Sequence, residues 1–227
     1  MADEIVFHAL PPSANSGVIR AFLNASGIPY KELNCWGQTR TPEFIAKFPN
    51  NCAPAIEHGS VTVSESIAIM RYLCKVFPDK AGKFYPEDPA AAAKIDMVCD
   101  YINGSLCPFF APAVYAELGF GAYPGQVASM DSTKEHAAEA TKEARDHVSK
   151  ILEERYVGIF LANTKFLQSD TPTIADFRFA PLMSQLKCGI KLPERIEKYL
   201  TDCYAIEGFE EAMKPVDEFC KPRWVSE

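Results

Sequence analysis

The first 78 residues alternate short apolar runs with segments whose apolar positions recur at helical spacing. Apolar runs at 5–7 and 30–33 predict two strands, and the apolar positions of 18–23 predict a helix between them that ends at Gly27. A strand, a crossover helix and a second strand together predict a right-handed βαβ unit.

A second helix and a hairpin follow this unit. Thr41, with proline next to it, has the residue type of a helix N-cap and predicts that a helix starts there. The runs 55–57 and 61–63 flank a His-Gly-Ser turn and predict a hairpin, after which Ser64 is expected to cap a third helix. The order β-α-β-α-β-β-α therefore predicts a small α/β domain over 1–78.

The rest of the chain has a helical pattern. A stretch at 79–89, rich in Pro, Gly, Lys and Asp, is interpreted as a linker, and 90–227 as an all-helical domain. Capping-box patterns at 132–135 and 173–176 predict the starts of two helices. Pro181 is expected to kink or end the helix after the second box, since proline removes a backbone donor.

Composition and charge exclude several classes of function. The 23 basic and 30 acidic residues give a net charge of −7, which argues against nucleic-acid binding and polybasic membrane binding. No apolar run approaches the roughly 20 residues of a membrane-spanning helix, and the N-terminus lacks a signal-peptide pattern, so a cytoplasmic location is expected. Eight cysteines without a CxxC, and only four histidines, predict reduced thiols and no metal site. Because basic and acidic residues balance within 1–78, this part can accept an anionic ligand.

The loop after the first strand, with the helix that it opens, is a candidate anion site. Backbone N–H groups at a helix start favour an anion, and Ser13, Asn15 and Ser16 add side chains that can donate to one. The same residue types are common in turns and caps, so a purely structural role is the alternative.

Two further segments of the first domain fit a peptide-like ligand. Pro54, in a polar loop before a strand, suits a cis bond that exposes the backbone of Ala53; an ordinary trans proline is the alternative. At the next helix start, Glu65 can pair with a ligand ammonium while Ser66 and the helix N-terminus bind its carboxylate, which suits an α-amino acid group. A favourable interaction with the helix dipole is the alternative role of Glu65.

Four segments, in order and at matching separations, resemble the soluble glutathione transferase superfamily. They are LPPSANSGVIRAFLNASGIPY, TPEFIAKFPNNCAPAIEHG, VSESIAIMRYL and PTIADFRFAPL. Within that superfamily the chain is most similar to the serine-type delta, theta and phi classes. The resemblance implies an α/β thioredoxin-like N-terminal domain followed by an all-α C-terminal domain. It also implies a homodimer and glutathione as cosubstrate, with no permanently bound cofactor.

The resemblance further implies roles for residues of the first domain. Ser13 or Asn15 would contact the sulfur of glutathione, and the choice between them stays open. The cis-proline would let Ala53 clamp the cysteinyl backbone, and Glu65 and Ser66 would hold the γ-glutamyl group.

Some positions depart from the family pattern. Thr39 and Asn51 stand where the family has histidines that hold the glycyl carboxylate, and Gln38, Arg40 or Asn51 are the candidates for that role here. Ile67 stands where related sequences often have an arginine. These departures support an alternative function, a glutathione-binding or ligand-carrier protein with little turnover.

Aromatic residues of the second domain predict the site of the second substrate. A pocket for a hydrophobic electrophile is expected from Tyr101, Phe109, Phe110 and Tyr115, with Trp224 from the tail. Core packing is the alternative for each of them. The leading hypothesis is a glutathione transferase that conjugates the thiolate to hydrophobic electrophiles in detoxification, and a glutathione-dependent peroxidase or isomerase is a further alternative.

Cys52 raises a smaller hypothesis. It precedes Ala53, so it is placed to form a mixed disulfide with glutathione, and a bystander cysteine is the alternative.

Overall fold

Four strands form one mixed sheet in the first part of the chain. The computed structural model describes residues 4–119 and 134–225, and the backbone alone for 134–137. The strands are β1 (Ile5–Ala9), β2 (Tyr30–Asn34), β3 (Ala55–His58) and β4 (Val61–Ser64), in the spatial order β2-β1-β3-β4. β1 pairs in parallel with β2 and antiparallel with β3, and β3 and β4 form the predicted hairpin.

Three helices accompany this sheet, and the predicted order β-α-β-α-β-β-α is confirmed. They are α1 (Ala14–Ser26), α2 (Pro42–Lys47) and α3 (Ser66–Val76). Gly27 ends α1 in the left-handed region, at φ 61°, where its N–H reaches carbonyls of the last turn. At the start of α2 the Thr41 hydroxyl accepts from the Phe44 N–H, as the N-cap pattern predicts.

Ser64 does not cap the third helix, and this prediction is wrong. Ser64 is the last residue of β4 and pairs with Ala55 across the hairpin, so the chain needs one more residue to turn into α3. Glu65 makes that turn at φ 70°, and Ser66 is the first helical residue.

Beyond the sheet, most of the described residues lie in helices. Two short segments, α4 (Pro78–Ala81) and a 3₁₀ turn (Gly82–Phe84), precede the longer helices. The longer helices are α5 (Pro89–Tyr101), α6 (Cys107–Val114), α7 (Lys134–Ile151), α8 (Ile174–Leu186), α9 (Glu194–Tyr204) and α10 (Phe209–Cys220). Two π-helical segments interrupt the α-helical geometry, Ile102–Leu106 between α5 and α6 and Leu152–Phe160 after α7.

The capping box at 173–176 is confirmed, whereas the one at 132–135 lies outside the described residues. The Thr173 side chain and the Asp176 carboxylate bond each other's backbone N–H groups at the start of α8. Pro181 does not end this helix, which continues to Leu186. Every residue of α8 is buried, so packing on all sides outweighs the local cost of the proline.

Helix α8 joins the second part of the chain to α1. The Phe177 ring meets Phe22 of α1 edge-on, at 5.4 Å between centroids. Gln185 Nε2 donates to the Pro12 carbonyl at 2.9 Å, just before α1 begins. Arg20 of α1 donates to the Ala212 carbonyl of α10 at 3.3 Å. These contacts place the start of α1 against the side chains of α8.

No helix of the described residues combines the length and the apolar character that crossing a membrane requires.

Candidate functional site

A cavity of about 830 Å³ opens at the N-terminus of α1, between the two parts of the chain. Its first-domain lining is Leu10, Pro12, Ser13, Asn15, Trp36, Thr39, Asn50, Asn51, Cys52, Ala53, Pro54, Glu65 and Ser66. Its second-domain lining is Cys107, Pro108, Phe110, Ala111, Pro112, Tyr115, Gly119, Arg178, Leu182 and Gln185. Most of the polar groups therefore come from the first domain, and an apolar wall comes from the second.

This cavity brings together most of the residues singled out in the sequence. Nine of the thirteen residues proposed for catalysis, glutathione binding or the electrophile pocket line it: Ser13, Asn15, Asn51, Ala53, Pro54, Glu65, Ser66, Phe110 and Tyr115. Four others lie outside its lining: Gln38, Arg40, Tyr101 and Phe109. Gln38 is exposed and donates to the Asn34 carbonyl, and Arg40 is likewise exposed; both flank Thr39, which does line the cavity.

Ser13 sits at the N-cap of α1. Its backbone is extended there, at φ −77° and ψ 126°, and its carbonyl accepts the first helical hydrogen bond from Gly17. In the described residues the Ser13 hydroxyl makes no capping bond, which leaves it free to donate into the cavity. Ser16 differs, because its hydroxyl accepts from the Leu10 N–H at 3.0 Å and so stabilises the loop between β1 and α1.

Asn15 is held by a residue that the sequence did not point to. The Arg178 guanidinium donates to Asn15 Oδ1 at 2.7 Å, to Asn103 Oδ1 at 3.1 Å and to Cys107 Sγ at 2.9 Å. Arg178 is only 7% exposed although it lines the cavity. The signal that could have revealed it is a lone basic residue in an otherwise apolar helical run.

The loop before β3 and the start of α3 form the far side of the cavity. The Ala53–Pro54 peptide bond is cis, as expected from the position of this proline. Asn50 Nδ2 donates to Glu65 Oε1 at 3.0 Å and ties the loop to the helix start. Asn51 and Glu65 both have positive φ, at 45° and 70°, and such backbone strain in non-glycine residues is common at ligand sites.

The two cysteines of the cavity favour their thiol forms. Burial raises the pKa of the Cys52 thiol, and the nearby Glu65 carboxylate raises it further. Burial also raises the pKa of Cys107, against the opposing effect of the Arg178 guanidinium. Because thiolates are the nucleophilic form, the hypothesis of a reactive Cys52 loses support.

Two of the predicted aromatic residues belong to the core rather than to the cavity. Tyr101 meets the rings of Tyr156 and Phe160 edge-on, at 5.9 and 5.4 Å between centroids. Phe109 lies against His147, at 3.9 Å between centroids. The π-helical segment at 102–106 changes the residues per turn between these positions, so a 3.6-residue period does not predict which side chains share a face.

Trp224 also lies outside the cavity lining. Its indole Nε1 donates to the Ser184 carbonyl at 2.8 Å, and the Lys187 ammonium lies over its ring. The tail therefore packs on α8.

Similarity to known proteins covers most of the chain. A family model for the glutathione S-transferase N-terminal domain matches residues 7–81. Glutathione S-transferase T1 of Arabidopsis thaliana is 30% identical over 179 residues, covering 77% of this chain and 69% of that protein. Glutathione S-transferase 2 of Anopheles gambiae is 27% identical over 191 residues, 82% of either chain. The structure of an apo mutant of human glutathione-S-transferase T1-1 matches with a TM-score of 0.79 at 18% identity, over 96% of this chain and 90% of its own.

The fold class expected from the sequence, a thioredoxin-like α/β domain followed by an all-α domain, is confirmed by the sheet order and by these matches. With 30% identity to a plant glutathione transferase over two thirds of that protein's length, the chain belongs to the glutathione transferase family and is a glutathione transferase enzyme.

Proposed function

We propose that this enzyme conjugates the glutathione thiolate to apolar electrophiles, as in detoxification. The observation that carries the proposal is the division of the cavity into a polar and an apolar side around one helix N-terminus. Ser13, Asn15 and the loop to Glu65 supply the polar side, and Phe110 and Leu182 contribute to the apolar wall.

The polar side fits a γ-glutamyl tripeptide. Glu65 would pair with the α-ammonium of the glutamyl group, and Ser66 with the N-terminus of the 11-residue helix α3 would bind its α-carboxylate. Ala53 would offer its backbone N–H and C=O to the cysteinyl unit. Asn51 remains as the candidate for the glycyl carboxylate, because Gln38 and Arg40 lie outside the lining.

The start of α1 supports ionisation of the bound thiol. A free thiol with a pKa near 8.5 is only a few per cent thiolate at pH 7, and lowering that pKa by about two units requires about 2.7 kcal/mol. A hydrogen bond to a charged group contributes about 1.5–3 kcal/mol, and a helix N-terminus about 0.3–1 kcal/mol. The Ser13 hydroxyl and the end of α1, whose first turn carries no acidic residue, therefore supply much of this free energy.

The reaction on an activated aryl halide is a substitution at carbon. The sulfur lone pair forms the new C–S bond, and the carbon–halogen bond breaks with its electron pair leaving on the halide ion. The thiol proton passes to solvent when the thiolate forms. The wall that includes Phe110, Ala111 and Leu182 would hold the ring, because burial of an aromatic substrate against these side chains removes apolar surface from water.

The first prediction concerns Ser13. Ser13→Ala is expected to lower kcat/KM for glutathione and an activated aryl halide by about 10–100-fold, because one hydrogen bond to a charged sulfur is lost. The measurement is the initial rate of conjugate formation, with Asn15→Ala assayed alongside. Ser60→Ala, a serine change in the exposed turn of the hairpin, is the matched control and should leave the rate unchanged.

Two results would change the proposal. A wild-type protein that binds glutathione without forming conjugate would replace it by the ligand-carrier alternative. Full activity in Ser13→Ala together with its loss in Asn15→Ala would move the sulfur donor to Asn15.

The assembly of the enzyme is the second prediction. The homodimer implied by the family resemblance is expected to give a mass of twice 25.2 kDa by light scattering. Val61, Val76 and Met97, which are 39–49% exposed, supply apolar surface for such contacts. A mass of one chain at micromolar concentration would reject the dimer.

Two further expectations from the sequence stay predictions. One is the division into domains at 1–78 and 90–227 with a linker at 79–89, and the other is the cytoplasmic location.

A further inference from the structure

Arg178 is a buried positive charge that has no carboxylate partner among the residues the structure describes. The residue is 7% exposed, and the three hydrogen-bond acceptors of its guanidinium, on Asn15, Asn103 and Cys107, are uncharged groups. Within the described ranges no Asp or Glu oxygen lies within 4.0 Å of its nitrogens. Buried charges are normally paired, because taking an ion out of water is costly. The cavity wall therefore carries a positive charge that an anionic ligand would compensate.

The groups around Arg178 form a polar cluster at the wall of the cavity. Asn103 lies in the π-helical segment Ile102–Leu106, and Cys107 follows it directly. Tyr156 lies in the second π-helical segment, and its buried hydroxyl has no hydrogen-bond partner in the described part of the chain. Segments of π-helix are rare and often occur at functional sites. Two of them supply side chains to the surroundings of this one guanidinium.

The contact with Arg178 determines which way the Asn15 amide points. A guanidinium can only donate, so the amide oxygen must face Arg178. The Asn15 amide nitrogen then points away from Arg178, with two N–H donors, on a residue that lines the cavity. Asn15 lies two residues after Ser13, in the first turn of α1.

We infer that Arg178 is a positioning residue for the bound thiolate, acting through Asn15. Its guanidinium orients and polarises the Asn15 amide, whose N–H donates to the glutathione sulfur beside the Ser13 hydroxyl. The inference rests on the proposed function, because it concerns the same sulfur. It goes further in assigning a residue of the all-helical domain to ionisation of the thiol.

The other titratable groups near Arg178 do not cancel its charge at neutral pH. Burial raises the pKa of Cys99 to about 12 and raises that of the Cys107 thiol as well, so both stay uncharged. Burial raises the pKa of Tyr156 well above its usual value. Asp176, on the same helix, already accepts from four donors, and Glu65 lies across the cavity, where the ligand ammonium would pair with it.

The test is the ionisation of glutathione bound to the full chain. The ultraviolet absorbance of the thiolate, titrated against pH at saturating glutathione, gives the pKa of the bound thiol. Arg178→Gln is expected to raise this pKa by about one unit, a tenfold loss of thiolate at a pH below both values, and to move the pH profile of kcat equally. Arg178→Lys keeps the charge but not the planar guanidinium. It is expected to raise the pKa of the bound thiol less than Arg178→Gln does.

Asn15 provides the second arm. Asn15→Ala is expected to raise the pKa of the bound thiol as Arg178→Gln does, and the double variant should add little to either, since the two residues act in series. An unchanged thiol pKa in Asn15→Ala would overturn the inference even if Arg178→Gln did not fold. Shifts that add fully in the double variant would also overturn it.

Arg195→Gln is the matched control. Arg195 also donates to neutral acceptors in the second domain, the carbonyls of Leu161 and Thr164, but it lies outside the cavity. The Arg195→Gln variant is expected to leave the thiol pKa unchanged. If it raised this pKa as much as Arg178→Gln does, the role of Arg178 would be only structural. If wild type itself bound glutathione without lowering its pKa, the proposed function would fail, and the inference with it. A lowered pKa in wild type that Arg178→Gln left in place would remove the inference alone.

Discussion

Replacing Asp176 with alanine is expected to lower the free energy of unfolding by about 3–5 kcal/mol. The Asp176 carboxylate is fully buried and accepts from the Thr173 N–H at 2.7 Å, the Leu167 N–H at 2.9 Å and the Tyr199 hydroxyl at 2.9 Å. Alanine would leave these donors buried and unpaired, each at a cost of about 1–3 kcal/mol, and would remove the capping box of α8. Since α8 also carries Arg178, the start of this helix supports the site as well as the core.

Urea unfolding followed by circular dichroism measures this loss. Asp146→Ala is the matched control, because Asp146 is exposed on α7 and pairs with Lys142 four residues earlier. Exposed pairs of this spacing contribute little, because solvent screens the two charges. Equal losses in the two variants would contradict the burial argument.

The Asp176 carboxyl also makes the free energy of unfolding depend on pH, and Asp176→Asn is expected to remove this dependence. Burial raises the pKa of Asp176 from 3.8 to about 6 in the folded chain, although four donors act in the opposite direction. Because the folded pKa is the higher one, protonation favours the folded state. This contribution is complete below about pH 4 and is lost as the pH rises through about 6. The unfolding free energy of wild type minus that of Asp176→Asn is thus expected to be larger by about 1 kcal/mol at about pH 5 than at about pH 7.5. A difference independent of pH would contradict the raised pKa.

Local signals in the sequence were enough to predict the order of elements in the α/β domain, the end of α1 and the start of α2. Gly27 forms a left-handed C-cap and Thr41 an N-cap, and the capping bonds of both join residues only a few positions away. Residue type alone therefore identifies them. The cavity lining at Ser13, Pro54 and Glu65 was predictable for a related reason, because each lies at a turn between elements whose order the hydrophobic pattern predicts.

Contacts between distant segments were not predictable in this way. Arg178 reaches Asn15 across 163 positions of the sequence, and no local pattern encodes that pairing. Tyr101 and Phe109 were expected in the cavity because aromatic residues are dense there. The π-helical segment between them changes which faces they occupy, and hydrophobic patterning at 3.6 residues per turn does not detect it.

Replacing Phe177 with alanine is expected to destabilise both domains together, again by about 3–5 kcal/mol. The Phe177 ring is fully buried and meets Phe22 of α1 at 5.4 Å and Phe84 of the 3₁₀ turn at 4.9 Å. It also faces Phe209 of α10 at 6.0 Å. Removing it would open a cavity at the point where α1 packs on α8, and therefore loosen the start of α1 that carries Ser13.

The two tryptophans allow the unfolding of each domain to be followed separately. Trp36 lies in the first domain and Trp224 packs on α8, so Trp224→Phe and Trp36→Phe backgrounds report one domain each. In both backgrounds Phe177→Ala is expected to lower the free energy of unfolding by the same amount, because the aromatic cluster couples the domains. Phe109→Ala is the matched control; this ring is only partly buried against His147 and should cost less. A shift confined to the Trp224 signal would show that the first domain keeps its stability without the cluster.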